Sequence, residues 1–198
     1  MENRIEKFIE TLKNRHSDYT LSNKRILKNE EFIDFIEKCL YYHPSAFNVQ
    51  STRVVLLLNK HVAKIWSHVI NQLPKDFPKL LLDELAACKN GYATMLFYDD
   101  EQVTKQASEQ YHMSLANFES WAIQSMAMLQ INMWNGLTYL GYGVNIQHFN
   151  KELDEFARNE FKIPKTWKLL AQMNVGSISG STKPRTHLPT SKLLFIHK

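Results

Sequence analysis

Two short stretches, far apart in the chain, carry cations beside small or rigid residues. The first, Arg15-His16-Ser17, follows an apolar helical pattern. An arginine guanidinium offers a fixed fork of donors that suits a phosphate group, and a serine hydroxyl adds another donor. The second, Lys183-Pro184-Arg185, carries two cations that could close on the same phosphate. A charged helix end with a turn residue, and an idle surface patch, are the simpler interpretations of the two stretches.

A third stretch, residues 44–51 (PSAFNVQS), lies between a predicted helix and the first predicted strand. Its side-chain amides, Asn48 and Gln50, each present a donor and an acceptor on one planar group. That pattern suits the pyrimidine edge of a flavin, where N–H and C=O groups alternate. Pro44 and Ala46 would let the backbone pass close to a flat ring. Alternatively, the two amides satisfy backbone groups of the loop itself.

In type and in order, the three stretches resemble the motifs of the nitroreductase family of FMN enzymes. That family has an Arg-(Arg or His)-Ser triplet after its first helix, a Pro-Ser-(Ala or Ser)-x-Asn-x-Gln loop before its first strand, and a basic pair near its C-terminus. The match extends over nearly the whole chain. It is closest to the branch that includes the fatty-acid-repression-mutant type proteins, through residues 44–57, Gly91-Tyr92, 125–130 and 145–150.

The resemblance implies an intertwined homodimer that binds FMN at the interface between its subunits, with three groups of cofactor contacts. The residues expected to contact the phosphate are Arg15, His16, Ser17, Lys183 and Arg185. The ring-binding loop, contributed by the partner subunit, is Pro44, Ser45, Ala46, Phe47, Asn48, Gln50 and Ser51. The opposite edge of the ring, near the flavin N5, is contacted by Asn145, Ile146 and Gln147.

The implied activity is hydride transfer from NADH or NADPH, through flavin N5, to a nitroaromatic or quinone-type acceptor with ping-pong kinetics. The cofactor then carries the chemistry, so we assign no catalytic side chain and expect protons to come from solvent. Phe47, Phe118 and Trp121 are candidates for walls of the acceptor pocket. Two other functions stay open: a flavin-binding redox sensor with little turnover, and a basic interaction module without a cofactor.

One position departs from the family pattern. Many members carry a lysine or arginine two residues after the serine of the triplet, near the flavin N1 and O2, where reduction builds negative charge. This chain has Tyr19 there. Either another cation takes over, with Arg53 the candidate, or the flavin potential is lower. Arg53 could equally belong to a structural ion pair.

The elements that must hold these residues follow from hydrophobic periodicity. Helices are predicted over residues 5–15, 32–40, 65–70, 80–87, 115–140 and 153–161. Strands are predicted over residues 53–58, 92–98, 144–149, 168–175 and 193–196. The sum is a single α+β domain spanning 1–198, with a mixed central sheet flanked by helices.

The predicted helix 115–140 is apolar on every side and almost uncharged after Glu119. Such a helix is expected to be buried all round, and a chain of this size cannot easily cover it alone. A second subunit is therefore expected to cover part of it. Residues 176–198, a stretch rich in Gly, Ser, Thr and Pro that ends in a short strand, suit an arm that embraces this partner.

The composition agrees with a globular domain. Hydrophobic residues make up 44% of the 198 positions and charged residues 22%, and the formal net charge is only +4. Lysines and arginines are scattered, which argues against nucleic acid as a partner. Cys39 and Cys88 form no metal-ligand pattern, so reduced thiols and no metal are expected. With no signal peptide and no membrane span in the sequence, we expect a cytoplasmic protein.

Overall fold

The computed structural model describes residues 2–180 and 185–198, which form seven α-helices and five strands. The helices are α1 (Glu2–Asn14), α2 (Asn29–Tyr41), α3 (Lys60–Gln72), α4 (Lys79–Lys89), α5 (Glu101–Gln110), α6 (Leu115–Tyr139) and α7 (Asn150–Phe161). The strands are β1 (Leu21–Ser22), β2 (Thr52–Leu58), β3 (Ala93–Asp100), β4 (Tyr142–Gln147) and β5 (Trp167–Ile178). The predicted α+β class is confirmed.

The sheet differs from the mixed sheet expected from the sequence, because every strand pairing within the described residues is antiparallel. β5 pairs with β1, β3 and β4, and β3 also pairs with β2. If a single crossover helix connected β2 to β3, these neighbouring strands would be parallel. Here the two packed helices α3 and α4 connect β2 to β3, and the chain enters β3 at Ala93, opposite the end of β2 at Leu58.

The core has two layers, one on each face of this sheet. Along β3, Met95 and Phe97 point into the layer beneath α2 and α6. Leu96 and Tyr98 point into the layer beneath α3, α4 and α7. This alternation follows from the two-residue period of a strand. The arrangement places α6 on the same face of the sheet as α2, in contact with β4.

Within a single copy of the chain, only one side of α6 is covered, and the expected burial of the other side by a second subunit stays a prediction. Met126, Leu129 and Met133 pack on the sheet and are at most 2% exposed. Ile123 is 56% exposed and Met128 is 42% exposed. A helix can press only one stripe against a single sheet. A single copy of the chain therefore leaves an apolar stripe of α6 in solvent.

Three further differences concern individual elements. Strand β1 was not predicted, because its two residues are too few to show an alternating pattern. The strand predicted over 193–196 is not formed within a single copy of the chain, whose residues there are irregular and 64–76% exposed. A strand needs a neighbouring edge for its hydrogen bonds, and no described strand pairs with this segment. Helix α5 was missed, because its buried side includes Thr104, Ala107 and Ser108, which hydrophobic periodicity does not detect.

Candidate functional site

The phosphate-type cluster begins where α1 ends. Arg15 follows the last residue of α1, and its guanidinium carbon lies 4.6 Å from the centroid of the Trp134 ring on α6. The Trp134 Nε1–H donates to the main-chain oxygen of His16 at 3.1 Å. Sequence reasoning missed Trp134. The available signal was an indole in an almost apolar helix, because the N–H of a partly buried indole needs an acceptor.

Arg185 comes to the same place from the other end of the chain. It donates to the main-chain oxygen of Lys13 at 2.7 Å, at the C-terminal end of α1. Partial burial lowers the pKa of Arg15, and the positive charge of Arg185 lowers it further, while Asp18 opposes both effects. The structure thus brings together two of the predicted phosphate ligands. Lys183 lies outside the described residues.

Asp18 ties this segment to strand β4. Its main-chain N–H donates to the oxygen of Val144 at 3.0 Å, and its carboxylate accepts the Val144 N–H at 3.4 Å. Burial raises the pKa of Asp18, although the Val144 hydrogen bond and the nearby His16 and Arg15 lower it. Among the described residues, neither Asp18 Oδ1 nor His16 Nδ1 has a hydrogen-bond partner. Ser17 is exposed at the surface.

Several polar contacts hold the predicted ring-binding loop in place. The Gln50 N–H donates to Ser45 Oγ at 3.0 Å, and the Ala46 N–H donates to Ser125 Oγ of α6 at 3.4 Å. The Arg53 guanidinium donates to the main-chain oxygen of Gln50 at 2.7 Å. These contacts define the loop without using the side-chain amide of Asn48, which is exposed.

The backbone of this loop is strained. Phe47, Asn48 and Gln50 have φ angles of 53°, 55° and 53°, in the left-handed region that residues with a Cβ rarely adopt. The Phe47 ring is half exposed and packs on Tyr111, with the ring centroids 4.6 Å apart, and also on Phe118. Strain of this kind persists only where the surroundings impose it, and it is concentrated at functional sites.

The loop is packed on its inner side and open on its outer side. The cavity behind it, lined by Ser45, Ala46 and Phe118 among others, has a volume of only about 10 Å³. Phe118 is 2% exposed, so its role is in the core rather than as a pocket wall. A planar ligand must therefore approach this loop from the solvent side of the chain.

The three predicted residues of β4 divide into two types. The Asn145 side chain is fully buried and hydrogen-bonded to Asn174 and to the main-chain oxygen of Asp18. Ile146 and Gln147 are partly exposed at the end of the strand. The side chains of the latter two, rather than that of Asn145, are accessible to a ligand.

Arg53 does not act as a free cation. It forms an ion pair with Asp100 at 3.2 Å, and its guanidinium carbon lies 5.8 Å from the centroid of the Trp167 ring. Of the two interpretations of Arg53, the structure shows the ion pair. Within residues 2–180 and 185–198, no group of histidines, cysteines and carboxylates is arranged to hold a metal ion, and no helix has the length and apolar character to cross a bilayer.

Comparison with known proteins agrees with the motifs. The family model described as the nitroreductase family matches residues 12–177. In Saccharomyces cerevisiae, the putative nitroreductase HBN1 is 26% identical over 195 residues, covering 96% of this chain and 98% of that protein. The nitroreductase FRM2 of the same yeast is 24% identical over 189 residues, covering 91% of this chain and 93% of that protein.

Solved structures give the same result. Nitroreductase CinD from Lactococcus lactis, in complex with chloramphenicol, superposes with a TM-score of 0.86 at 30% identity, over 96% of this chain and 100% of CinD. A putative nitroreductase from Exiguobacterium sibiricum, in complex with FMN, has the same fold, with a TM-score of 0.74 at 12% identity, over 96% and 97% of the two chains. The resemblance inferred from the motifs is thereby confirmed, and this chain belongs to the nitroreductase family.

Proposed function

We propose that this protein is an FMN-dependent oxidoreductase that uses NADH or NADPH to reduce nitroaromatic or quinone-type acceptors. The observation that carries the proposal is the convergence of Arg15 and Arg185 at the end of α1, from sequence positions 170 residues apart. Two cations held close together repel each other, and this repulsion adds to burial, the larger effect, in lowering the pKa of Arg15. A bound dianionic phosphate would remove that repulsion.

The residues at this point fit the phosphate of FMN. The Arg15 guanidinium is oriented by the Trp134 ring, and Arg185 is oriented by the carbonyl of Lys13. Both side chains keep donors that these contacts do not use, because a guanidinium has five N–H groups. The exposed hydroxyl of Ser17 supplies one more donor.

The ring-binding loop fits the isoalloxazine from its outer side. Asn48 is exposed in a backbone conformation that the aromatic contacts of Phe47 maintain. In our proposal, Ser45, Ala46 and Asn48 of one subunit contact the ring bound to the other subunit. Gln50 and Ser51 support the loop, and Pro44 and Phe47 border it. Ile146 and Gln147 line the opposite edge of the ring.

Bound FMN would supply the redox chemistry, accepting a hydride from the nicotinamide and passing it to the acceptor. The task of the protein is then to bind the cofactor, orient it and exclude competing reactions. We assign no side chain as a catalytic acid. Support for the acceptor class comes from CinD, which has been crystallised with chloramphenicol and with 4-nitrophenol.

The proposed active form is a homodimer. Two exposed apolar surfaces support it: the outer stripe of α6, including Ile123 and Met128, and the C-terminal segment, in which Phe195 and Ile196 are 76% and 68% exposed. Contiguous exposed apolar surface often marks an interface. Residues 176–178 of the predicted arm 176–198 belong to β5. The rest of that segment remains the predicted contact to the partner, and a cytoplasmic location remains a prediction.

Comparing FMN with riboflavin tests the central assignment, since riboflavin lacks the phosphate. We expect the purified protein to be yellow and to bind FMN much more tightly than riboflavin. Arg15→Ala and Arg185→Ala should each weaken FMN binding about tenfold or more and leave riboflavin binding nearly unchanged, because charged hydrogen bonds contribute about 1.5–3 kcal/mol. Arg4→Ala, at an exposed position of α1, is the control for loss of a cation.

Equal affinity for FMN and riboflavin in the wild-type protein would refute the phosphate assignment. Steady-state oxidation of NADH or NADPH with a nitroaromatic or a quinone then tests the enzymatic function. Turnover no faster than the uncatalysed reaction would favour the redox sensor instead. A colourless protein that refuses added flavin would favour the basic interaction module.

A further inference from the structure

A chain of buried hydrogen bonds crosses the sheet from the α3 side to the phosphate-type cluster. The Trp66 Nε1–H donates to Thr94 Oγ1 at 3.1 Å, and the Thr94 hydroxyl donates to Asn174 Oδ1 at 2.8 Å. Asn174 Nδ2 donates to Asn145 Oδ1 at 2.9 Å. Asn145 Nδ2 donates to the main-chain oxygen of Asp18 at 2.8 Å. The four side chains of this chain of hydrogen bonds are completely buried. Asp18 takes part only through its main-chain oxygen.

The direction of this chain is set by its first member. An indole can only donate, so Thr94 Oγ1 must accept the hydrogen bond from Trp66. The hydroxyl hydrogen of Thr94 is then directed to Asn174, whose oxygen must face Thr94. The amide nitrogen of Asn174 consequently faces Asn145 Oδ1. This leaves Asn145 Nδ2 as the donor to the Asp18 oxygen.

Asn145 is the branch point of the chain. Its Oδ1 also accepts from Gln147 Nε2 at 3.4 Å and lies 3.6 Å from the buried thiol of Cys88. One amide is therefore bonded both to the segment that carries Arg15 and to a residue of the predicted ring edge. Burial raises the pKa of Cys88 to about 12, so the thiol stays protonated and can act as a donor.

We propose that Asn145 is a positioning residue, held by Trp66, Thr94 and Asn174, that fixes the Arg15–Asp18 segment for binding of the phosphate. The inference rests on the proposed function and changes the role predicted for Asn145, which reaches the cofactor through the main chain of Asp18 rather than by contact. If the Asn145 amide turned over, its oxygen would face the Asp18 oxygen, and the two acceptors would repel each other.

The test uses variants at three distances from the site. Asn145→Leu removes the branch point, Thr94→Val removes the link with little change of volume, and Trp66→Phe removes only the first donor. Gln172→Leu is the matched control, because Gln172 is an equally buried amide on the neighbouring strand β5 that bonds to Phe149 and Asn150 instead. Each variant is titrated with FMN and with riboflavin, and its stability is measured.

The ratio of the two dissociation constants separates positioning from mere stability. We expect Asn145→Leu and Thr94→Val to lower the preference for FMN over riboflavin about fivefold to tenfold, the effect of one hydrogen bond. Gln172→Leu should lower stability and keep the preference. Combined with Arg15→Ala, Asn145→Leu should cause little further loss, because both act on the same contact.

Hydrogen exchange of the protein without added flavin provides a second measurement. The Asp18 N–H, bonded to Val144, should exchange at least about tenfold faster in Asn145→Leu than in Gln172→Leu, after correction for the global stabilities. Unchanged exchange of the Asp18 N–H in Asn145→Leu would overturn the positioning role. If the wild-type protein prefers FMN to riboflavin, an unchanged preference in Asn145→Leu would overturn it as well. A wild-type protein that does not distinguish them contradicts the proposed function, and the exchange rates still decide the role of Asn145.

Discussion

The Arg15 guanidinium lies against the face of the Trp134 ring, 4.6 Å from its centroid, and the edge of the same indole holds the neighbouring main-chain oxygen of His16. One side chain of α6 therefore orients both the cation and the backbone of the predicted phosphate-binding triplet. A cation over an aromatic face contributes about 0.5–1 kcal/mol at exposed sites and more where water is excluded.

Replacing Trp134 should therefore weaken cofactor binding in two steps. Trp134→Phe keeps an aromatic face and loses the hydrogen bond to His16, and Trp134→Leu loses both. We expect FMN affinity to fall about threefold to tenfold in the first variant and about tenfold to thirtyfold in the second, as one and then two interactions are removed. Fluorescence titration of FMN measures the series. Equal affinity of all three proteins would show that Trp134 does not orient Arg15.

The strained loop allows a test that isolates the backbone. Gln50 is exposed with a φ of 53°, so substitutions there act mainly through backbone conformation. Gln50→Val should destabilise the protein by about 1–2 kcal/mol, because a β-branched side chain is unfavourable in the left-handed region. Gln50→Gly should be nearly neutral, because two effects offset each other. Glycine adopts this conformation freely, and the variant loses the hydrogen bond from Gln50 Nε2 to the main-chain oxygen of Asn48. Urea denaturation compares them, and a more stable valine variant would contradict the strain.

Gly176 lies against β1, next to the residues through which β5 pairs with it. A Cβ at this position would lie 2.6 Å from the main-chain oxygen of Ser22, so backbone would have to move. We expect Gly176→Ala to destabilise the protein by about 1–3 kcal/mol, as for other overpacked sites. It should also weaken FMN binding, because β1 follows the Arg15–Asp18 segment in the chain. Ser177→Ala, which loses only the hydroxyl contact to Ser22, should cost no more than about 1.5 kcal/mol. Chemical denaturation of both variants provides the comparison.

His43, immediately before the ring-binding loop, should make stability depend on pH. Neither ring nitrogen has a partner among the described residues, and burial lowers the pKa of His43 below its ordinary value of 6.5. Below about pH 6.5, the unfolded chain therefore binds a proton that the folded chain does not, and stability decreases as the pH falls. The loss should be complete once the pH is below the lowered folded-state pKa.

The control for this prediction is a second histidine. His43→Asn should flatten the decrease in unfolding free energy between pH 7 and 5, whereas His187→Asn, at an exposed position of the C-terminal segment, should not. Denaturant midpoints across this pH range give the result. A decrease of the same slope in the His43 variant would show that another group causes it.

Removing the last residues tests the proposed dimer. The C-terminal segment exposes Leu193, Leu194 and Phe195 and forms no strand within its own chain. If it packs on a partner, a protein ending at residue 187 should dissociate at concentrations where the full chain is dimeric. Sedimentation velocity over a range of concentrations measures this. A full-length chain that sediments as a monomer would contradict the dimer itself, and an unchanged dimer after truncation would remove the arm from its interface.

Much of the architecture could be predicted from local pattern. Apolar residues at helical spacing identified six of the seven helices, and β-branched runs identified β2, because these signals lie within a few neighbouring residues. Helix α5 was missed because small polar residues such as Thr104 and Ser108 form much of its buried side. Residue types and order alone also identified the family, since a guanidinium, a hydroxyl and side-chain amides have a restricted chemistry wherever they occur.

Only the tertiary structure decided how distant residues meet. The convergence of Arg185 with Arg15, the ion pair of Arg53 with Asp100, and the antiparallel sheet all depend on contacts between segments that the sequence keeps far apart. The role of Asn145 is the clearest case. The sequence motif predicts that Asn145 contacts the ligand. Its complete burial and its bond to Asp18 instead follow from the packing of three strands and α3. Local pattern specifies which groups are available, and packing determines which of them remain accessible.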